Sequence, residues 1–292
     1  KDNWDSPVIF TTMVQFLNVF YAKGSRYIRR LHNLSESVII FDEVQKVPVT
    51  CVSLFNCALN FLKTYACSSI VLCTATQPTL DFVKHKLNID ADAEIVGHPD
   101  RVAEAFKRVE MVSFAARETF DNDKLAGFVA EKLDEVQSVL VILNTKSVVR
   151  RLYDKMSTDA FPVFHLSTSM CPEHRSDILK EVKELLAQKK KVVCISTQLI
   201  EAGVDVSFDC VIRSLAGLDS IAQAAGRCNR NGEKGIRPVY VIDHVEEKLD
   251  KLPEIETGKH IAKRILIDLE RDSTSYGGNM LSILAMEKYF KE

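Results

Sequence analysis

Short apolar runs that empty into polar turns recur along this chain, and they restrict its fold more than any other feature. Val-Ile-Ile-Phe at 38–41 opens onto Asp42 and Glu43, and Ile-Val-Leu-Cys at 70–73 opens onto Thr74. The pattern returns at 139–143 before Asn144 and Thr145, at 163–166 before Ser167, and at 192–195 before Ser196 and Thr197. Apolar runs at 210–212 and 240–242 complete the series, Val109 to Val112 starts a fresh strand, and Val-Ile-Phe at 8–10 reads as a further short one. Runs this short, without polar alternation, fit strands buried on both faces of a sheet. Between them lie apolar stripes at helical spacing. Examples are Val52, Phe55, Leu59 and Leu62; Leu125, Phe128, Val129 and Leu133; and Ile178, Val182 and Leu185. Strand and helix in alternation predict a parallel sheet with helices on both faces.

With 292 residues the chain is long enough for two such units, at ~150 residues each. Apolar density falls over 91–107, around Gly97 and Pro99, which sets the expected division at 1–104 and 105–245. Residues 246–292 are charged and helical in period, with Ile261, Ile265 and Leu269 on one face and Gly277-Gly278 as a break. They read as a short helical extension. The net charge of −2 gives no global basic field, so a nucleic acid would have to be gripped in a local groove. None of the 8 cysteines forms a Cys-x-x-Cys, and Cys73, Cys194 and Cys210 sit in apolar runs. They read as small buried hydrophobes of a reducing, cytoplasmic compartment. No signal peptide or membrane-spanning run occurs, and the start at Lys1 reads as a piece of a longer polypeptide.

The chemistry concentrates at the ends of the apolar runs. Ligands of open α/β sheets sit outside the carboxyl ends of the strands. Asp42 and Glu43 stand there, and two such carboxylates suit Mg²⁺ binding and orientation of an attacking water. Thr11, Thr12 and Gln15 mark a helix start, which serves either to cap the helix or to hold a phosphate. Arg26, Arg29 and Arg30 form a small basic cluster, either a solvated face or a contact for a nucleic-acid backbone. Thr74 and Thr76 flank Ala75, either as turn chemistry or as a link between a nucleotide site and a neighbouring unit. Farther on, Gly203 and Asp205 follow the run at 192–195, and Gln223, Arg227 and Arg230 follow the run at 210–212. On a helical turn two arginines three apart share a face. Guanidiniums so placed suit a triphosphate, although an ordinary surface pair would look the same.

Taken in order, these residues resemble the motif series of superfamily 2 helicases. The series runs Thr-Thr-x-x-Gln from Thr11, Asp-Glu-Val-Gln from Asp42, Thr-Ala-Thr from Thr74 and Asn-Thr from Asn144. It ends with Ser-Thr-Gln-x-x-Glu-Ala-Gly-Val-Asp from Ser196 and Gln-x-x-Gly-Arg-x-x-Arg from Gln223. The wording of 41–48 and 222–230, with the Asn-Trp-Asp-x-Pro-Val start at Asn3, is similar to the CRISPR-associated helicase–nucleases of type I systems. The resemblance implies an α/β fold of two RecA-like parallel-sheet lobes, the first incomplete. It implies ATP and Mg²⁺ as cofactors, with Asp42 on the metal, Glu43 on the hydrolytic water, and Gln45 in the motif's fourth place, where many relatives have His or Asp. Thr74 and Thr76 would couple hydrolysis to movement. Gly203, Asp205, Gln223, Arg227 and Arg230 would face the nucleotide across a cleft from the acids, one arginine acting as finger. Thr11, Thr12, Gln15, Asn144, Thr145 and Thr197 would contact single-stranded DNA through its backbone, without reading sequence. A guide-RNA surveillance complex and an inhibitor protein are the implied macromolecular partners, with no membrane.

Two features are missing from that series. No Gly-Lys-Thr or Gly-Lys-Ser occurs, which the phosphate-cradling loop requires. No His-Asp dipeptide occurs to seed the family's metal nuclease, and the seven histidines are scattered. The expectation is a motor fragment without significant ATPase activity of its own. The alternatives are another superfamily 2 helicase acting on RNA or repair substrates, or a non-catalytic docking lobe.

Overall fold

The apolar runs at 139–142, 192–195 and 210–212 form strands buried from both sides, and the helices fall on the stripes between. The computed structural model describes residues 3–74, 83–90, 92–97, 99–157, 160–201 and 203–292, apart from the side chains at 99, 100 and 103. They divide into two compact units, 1–97 and 98–290.

In the first unit, helix α1 (Met13–Tyr21) precedes strand β1 (Val38–Phe41), helix α2 (Val49–Tyr65) and strand β2 (Ser69–Leu72). The two strands pair in parallel, Val38 opposite Ser69 and Phe41 opposite Leu72. Phe55, Leu59 and Leu62 of the α2 stripe are buried. Phe41 meets Phe16 and Phe55 edge to face, at centroid distances of 4.8 and 5.0 Å, an arrangement that suits the ring quadrupoles. Val38 and Ile40, on the opposite face of β1, stay 68% and 65% exposed, so this sheet is covered on one side. The strand expected at 8–10 is absent: Val8, Ile9 and Phe10 are exposed, Phe10 by 97%. An apolar run becomes a strand only where a neighbour takes its backbone hydrogen bonds, and the described residues offer none here. The basic cluster also divides. Arg26 and Arg29 are exposed, whereas Arg30 is buried, stacked 5.0 Å from the Trp4 ring and bonded to Gln15.

The second unit begins with α3 (Pro99–Ala105), β3 (Val109–Ser113), β4 (Thr119–Phe120), α4 (Asn122–Glu135), β5 (Ser138–Ile142) and α5 (Lys146–Met156). It continues through β6 (Val163–Leu166), α6 (Pro172–Ala187), β7 (Val192–Ser196), β8 (Cys210–Ser214), α7 (Leu218–Ala225) and β9 (Arg237–His244). Two further helices, α8 (Pro253–Arg271) and α9 (Ile283–Lys291), close it. Its described strands form one seven-stranded sheet in the order β3-β9-β8-β5-β7-β6, with β4 also on β9, and every pairing is parallel. Alternate residues of the central strands feed opposite cores. Val139, Val141, Val193 and Ile195 pack with α4 and α5, while Leu140, Ile142, Cys194 and Val211 pack with α6 and α7. Cys194 and Cys210 are buried as expected, and burial pushes each thiol up to about 12; Cys73 is half-buried.

The helical extension is part of the second unit's packing. Ile261, Ile265 and Leu266 of α8 and Met286 of α9 join Leu218 and Ile221 of α7 in one buried cluster. Gly277 and Gly278, at φ 70° and 76°, make the break between the two helices with dihedrals a side chain would resist.

Candidate functional site

In the first unit the site residues gather at the carboxyl ends of β1 and β2. β1 carries Phe41 into the core, and the next two side chains, Asp42 and Glu43, are exposed. The Glu43 N–H donates to Asp42 Oδ1 at 3.0 Å. Glu43 itself is left-handed, at φ 56° and ψ 45°. Such backbone costs a residue with a Cβ about 1–2 kcal/mol and collects at functional turns. Gln45 Nε2 donates to Glu43 Oε2 at 2.5 Å, and Thr74 Oγ1 donates to Gln45 Oε1 at 2.6 Å. The Gln45 amide thus uses its donor on the acid and its acceptor on the threonine, linking the two strand ends. Thr76 lies outside the described residues. Thr12 caps α1, its hydroxyl accepting from the Gln15 N–H at 3.3 Å, while Gln15 Oε1 accepts from Arg30 at 2.9 Å. Thr11 and Thr12 are exposed. No group of three or more His, Cys, Asp or Glu side chains among the described residues forms a metal cage. A single carboxylate at Asp42 fits a Mg²⁺ ion that arrives already bound to phosphate oxygens.

In the second unit the arrangement departs from the expected arginine pair. α7 ends at Ala225, so Arg227 and Arg230 lie in the turn beyond it and not on a helical face. Gly226 caps the helix, and Asn229 at φ 45° then turns the chain, so the three-residue spacing no longer sets their directions. Arg227 is buried and points back at the loop after β7, donating to the carbonyls of Ile200, at 2.9 Å, and Glu201. Arg230 is half-exposed and pairs with exposed Asp205 at 2.9 Å. Gly203, at φ 71°, turns the loop between them. Gln223 is buried on α7.

Asn144, at the end of β5, is buried and fully engaged. Its Nδ2 donates to Leu215 O at 3.0 Å and Glu247 Oε2 at 2.6 Å, and its Oδ1 accepts from Arg213 at 2.8 Å. It therefore holds the N-terminus of α5 in place, and half-buried Thr145 and exposed Lys146 and Ser147 form the accessible start of that helix. Thr197 is buried at the start of the loop after β7. Sequence reasoning missed Arg213 and Glu247, which hold Asn144, and Glu201 and Ser220, which hold Arg213. Arg213 carried a signal, a charged residue directly after the apolar run at 210–212. Glu247 carried none, since it is 103 positions from the backbone amide of Asn144 that it accepts from.

Parallel strands flanked by helices, with polar turns at their carboxyl ends, define an α/β protein of the RecA-like kind. Residues 135–233 match the family described as CRISPR-associated nuclease/helicase Cas3, C-terminal. A CRISPR-associated nuclease/helicase Cas3 of Haloferax volcanii is 37% identical over 105 residues, which is 35% of this chain and 11% of that protein. The Streptococcus thermophilus Cas3 is 25% identical over 270 residues, 81% of this chain and 29% of that one. Among solved structures, T. fusca Cas3-ATP superposes with a TM-score of 0.66 at 16% identity, covering 89% of this chain and 36% of its own. A CRISPR RNA-guided surveillance complex, pre-nicking, gives 0.63 at 16% identity, covering 94% and 40%. These structures support the fold, two RecA-like lobes with short C-terminal helices. Residues 135–233 are thus similar to the C-terminal part of the Cas3 nuclease/helicases, and the chain spans less than a third of the length of these curated relatives.

Proposed function

We propose that this chain is part of the ATP-driven motor of a CRISPR-associated nuclease/helicase, moving along single-stranded DNA and feeding it to nuclease chemistry carried elsewhere. The observation that carries this reading is the hydrogen-bonded chain Thr74–Gln45–Glu43 beside Asp42. An acid poised to orient water, tied to the end of the neighbouring strand, is what converts phosphate loss into backbone movement. In this reading Asp42 holds the Mg²⁺ of ATP and Glu43 positions the attacking water. Arg230, Gly203, Asp205 and Gln223 attend the nucleotide, and Arg227 attends it through the loop it braces. Thr11, Thr12 and Thr145 face the DNA backbone, with Asn144 orienting the helix start beside Thr145 and buried Thr197 supporting the loop after β7. Recruitment by a guide-RNA surveillance complex and restraint by an inhibitor protein follow from the same resemblance.

Titration of the chain with labelled oligo-dT, oligo-U and Mg-ATP separates the readings. We expect salt-dependent binding of oligo-dT and no steady-state ATP turnover, because no Gly-Lys-Thr or Gly-Lys-Ser is present to cradle the phosphates. Binding of oligo-U alone would favour an RNA helicase, and binding of neither a docking lobe. A Mg²⁺- and DNA-dependent turnover abolished by Arg227→Ala would overturn the expected inactivity.

A further inference from the structure

The strongest polar feature outside the motor residues is a buried cation, Arg213, in the middle of the second unit's sheet. Its side chain is 0% exposed on β8. Nε lies 2.8 Å from Glu201 Oε1, Nη1 donates to Asn144 Oδ1 at 2.8 Å and Ser214 O at 2.7 Å, and Nη2 donates to Ser220 Oγ at 2.8 Å. Ser220 in turn donates to Glu201 Oε2 at 2.8 Å. The partners outside β8 come from three places: Ile142 and Asn144 at the end of β5 and just beyond it, Glu201 after β7, and Ser220 on α7. Gln198 reaches Asn144 Oδ1 at 3.3 Å, and the Glu201 carbonyl accepts from Arg227, so the ring runs unbroken from the arginine turn to the start of α5.

A buried ion pair is a poor stabiliser compared with apolar side chains of the same volume; what it can supply is a fixed geometry. The planar guanidinium fork satisfies several directions at once, which an ammonium cannot do. We propose that Arg213 is a positioning residue that locks three pieces into one body: the loop 197–201, the start of α5 and helix α7. A shift of the segment 227–230 then carries Thr145 and Thr197 with it. This rests on the reading above, in which that segment attends a nucleotide and Thr145 faces nucleic acid.

The test uses the 292-residue chain and the variants Arg213→Met, Arg213→Lys and Arg213→Met/Glu201→Met. Three quantities are read: Tm, oligo-dT affinity by fluorescence anisotropy, and amide exchange of 144–149, 197–201 and 218–222. Arg213→Met alone strands the Glu201 carboxylate and should lower Tm by roughly 10 °C. The double variant should recover Tm to within a few degrees, yet bind oligo-dT about tenfold more weakly, a usual size for coupling between sites. Its three segments should exchange faster while β5, β7 and β8 stay protected. Arg213→Lys keeps the charge and should show the same loss. A double variant with wild-type affinity and exchange would overturn the proposal, since the pair would then be replaceable core. A double variant that does not fold would overturn it too, because the pair would then be a requirement of the fold. If the unaltered chain binds no oligo-dT, the motor reading fails by itself, and the exchange data alone decide the role of Arg213.

Discussion

Single residues here do work that their type alone does not announce. Glu43 is the clearest case, an acid in left-handed backbone whose strain is held by Asp42 on one side and Gln45 on the other. Its conformation makes a prediction separable from its chemistry. Glu43→Gly and Glu43→Ala both remove the carboxylate, but only glycine relieves the backbone. Glycine should therefore be the more stable of the two by about 1 kcal/mol in denaturant unfolding, the reverse of the usual order. An alanine variant equal to or better than glycine would show that the turn relaxes without it. Arg227 and Arg230 teach the same lesson. Identical side chains three apart do different jobs, one bracing carbonyls in the interior and one pairing with Asp205 near the surface.

Elements are fixed by their closest approaches. The start of α7 packs on α8 where Gly217 meets Gly258, and a Cβ on Gly258 would stand 3.1 Å from Gly217 Cα and 2.9 Å from Tyr289 Oη. Tyr289 of α9 donates to Asp219 in the first turn of α7 at 2.9 Å, and burial, with Asp219 beside it, raises the phenol above its usual range. The lysines of α8 do similar anchoring. Lys259 and Lys263 each lie 2.6 Å from Asp243 at the end of β9 and outweigh its burial, holding that carboxyl below its ordinary 3.8. The extension is thus a clamp on the helix that leads to the arginine turn. Gly258→Val should destabilise the second unit by roughly 1–3 kcal/mol through overpacking, seen as a lower Tm. An unchanged Tm would mean that α8 is free to move off α7.

At the scale of the whole molecule the two units differ in how completely they bury their sheets. The second covers both faces, and its central strands β5, β7 and β8 are buried along their full length. The first leaves Val38, Ile40, Phe10 and Val49 in water. Residues 99–290 expressed alone should therefore unfold cooperatively, with a Tm within about 5 °C of the same transition in the whole chain. Circular dichroism melts of both would decide it, and a non-cooperative melt of the fragment would refute it. No described helix is long and apolar enough to cross a membrane.

The alternation of apolar runs and helical stripes set the α/β class, the parallel sheet and nearly every strand, because burial on both faces leaves a local mark in the sequence. The places of Asp42, Glu43, Asn144 and Thr197 at strand ends were legible for the same reason. The run at 8–10 misled, since apolar character records a tendency to be buried but not the presence of a pairing strand. The directions of Arg227 and Arg230 were settled by where α7 stops and how Asn229 turns. The union of Arg213, Glu201, Ser220, Asn144 and Glu247 was settled by the crossing of distant strands. Hydrogen bonds between residues up to 103 positions apart leave no periodicity to read, so tertiary structure alone could bring those charges together.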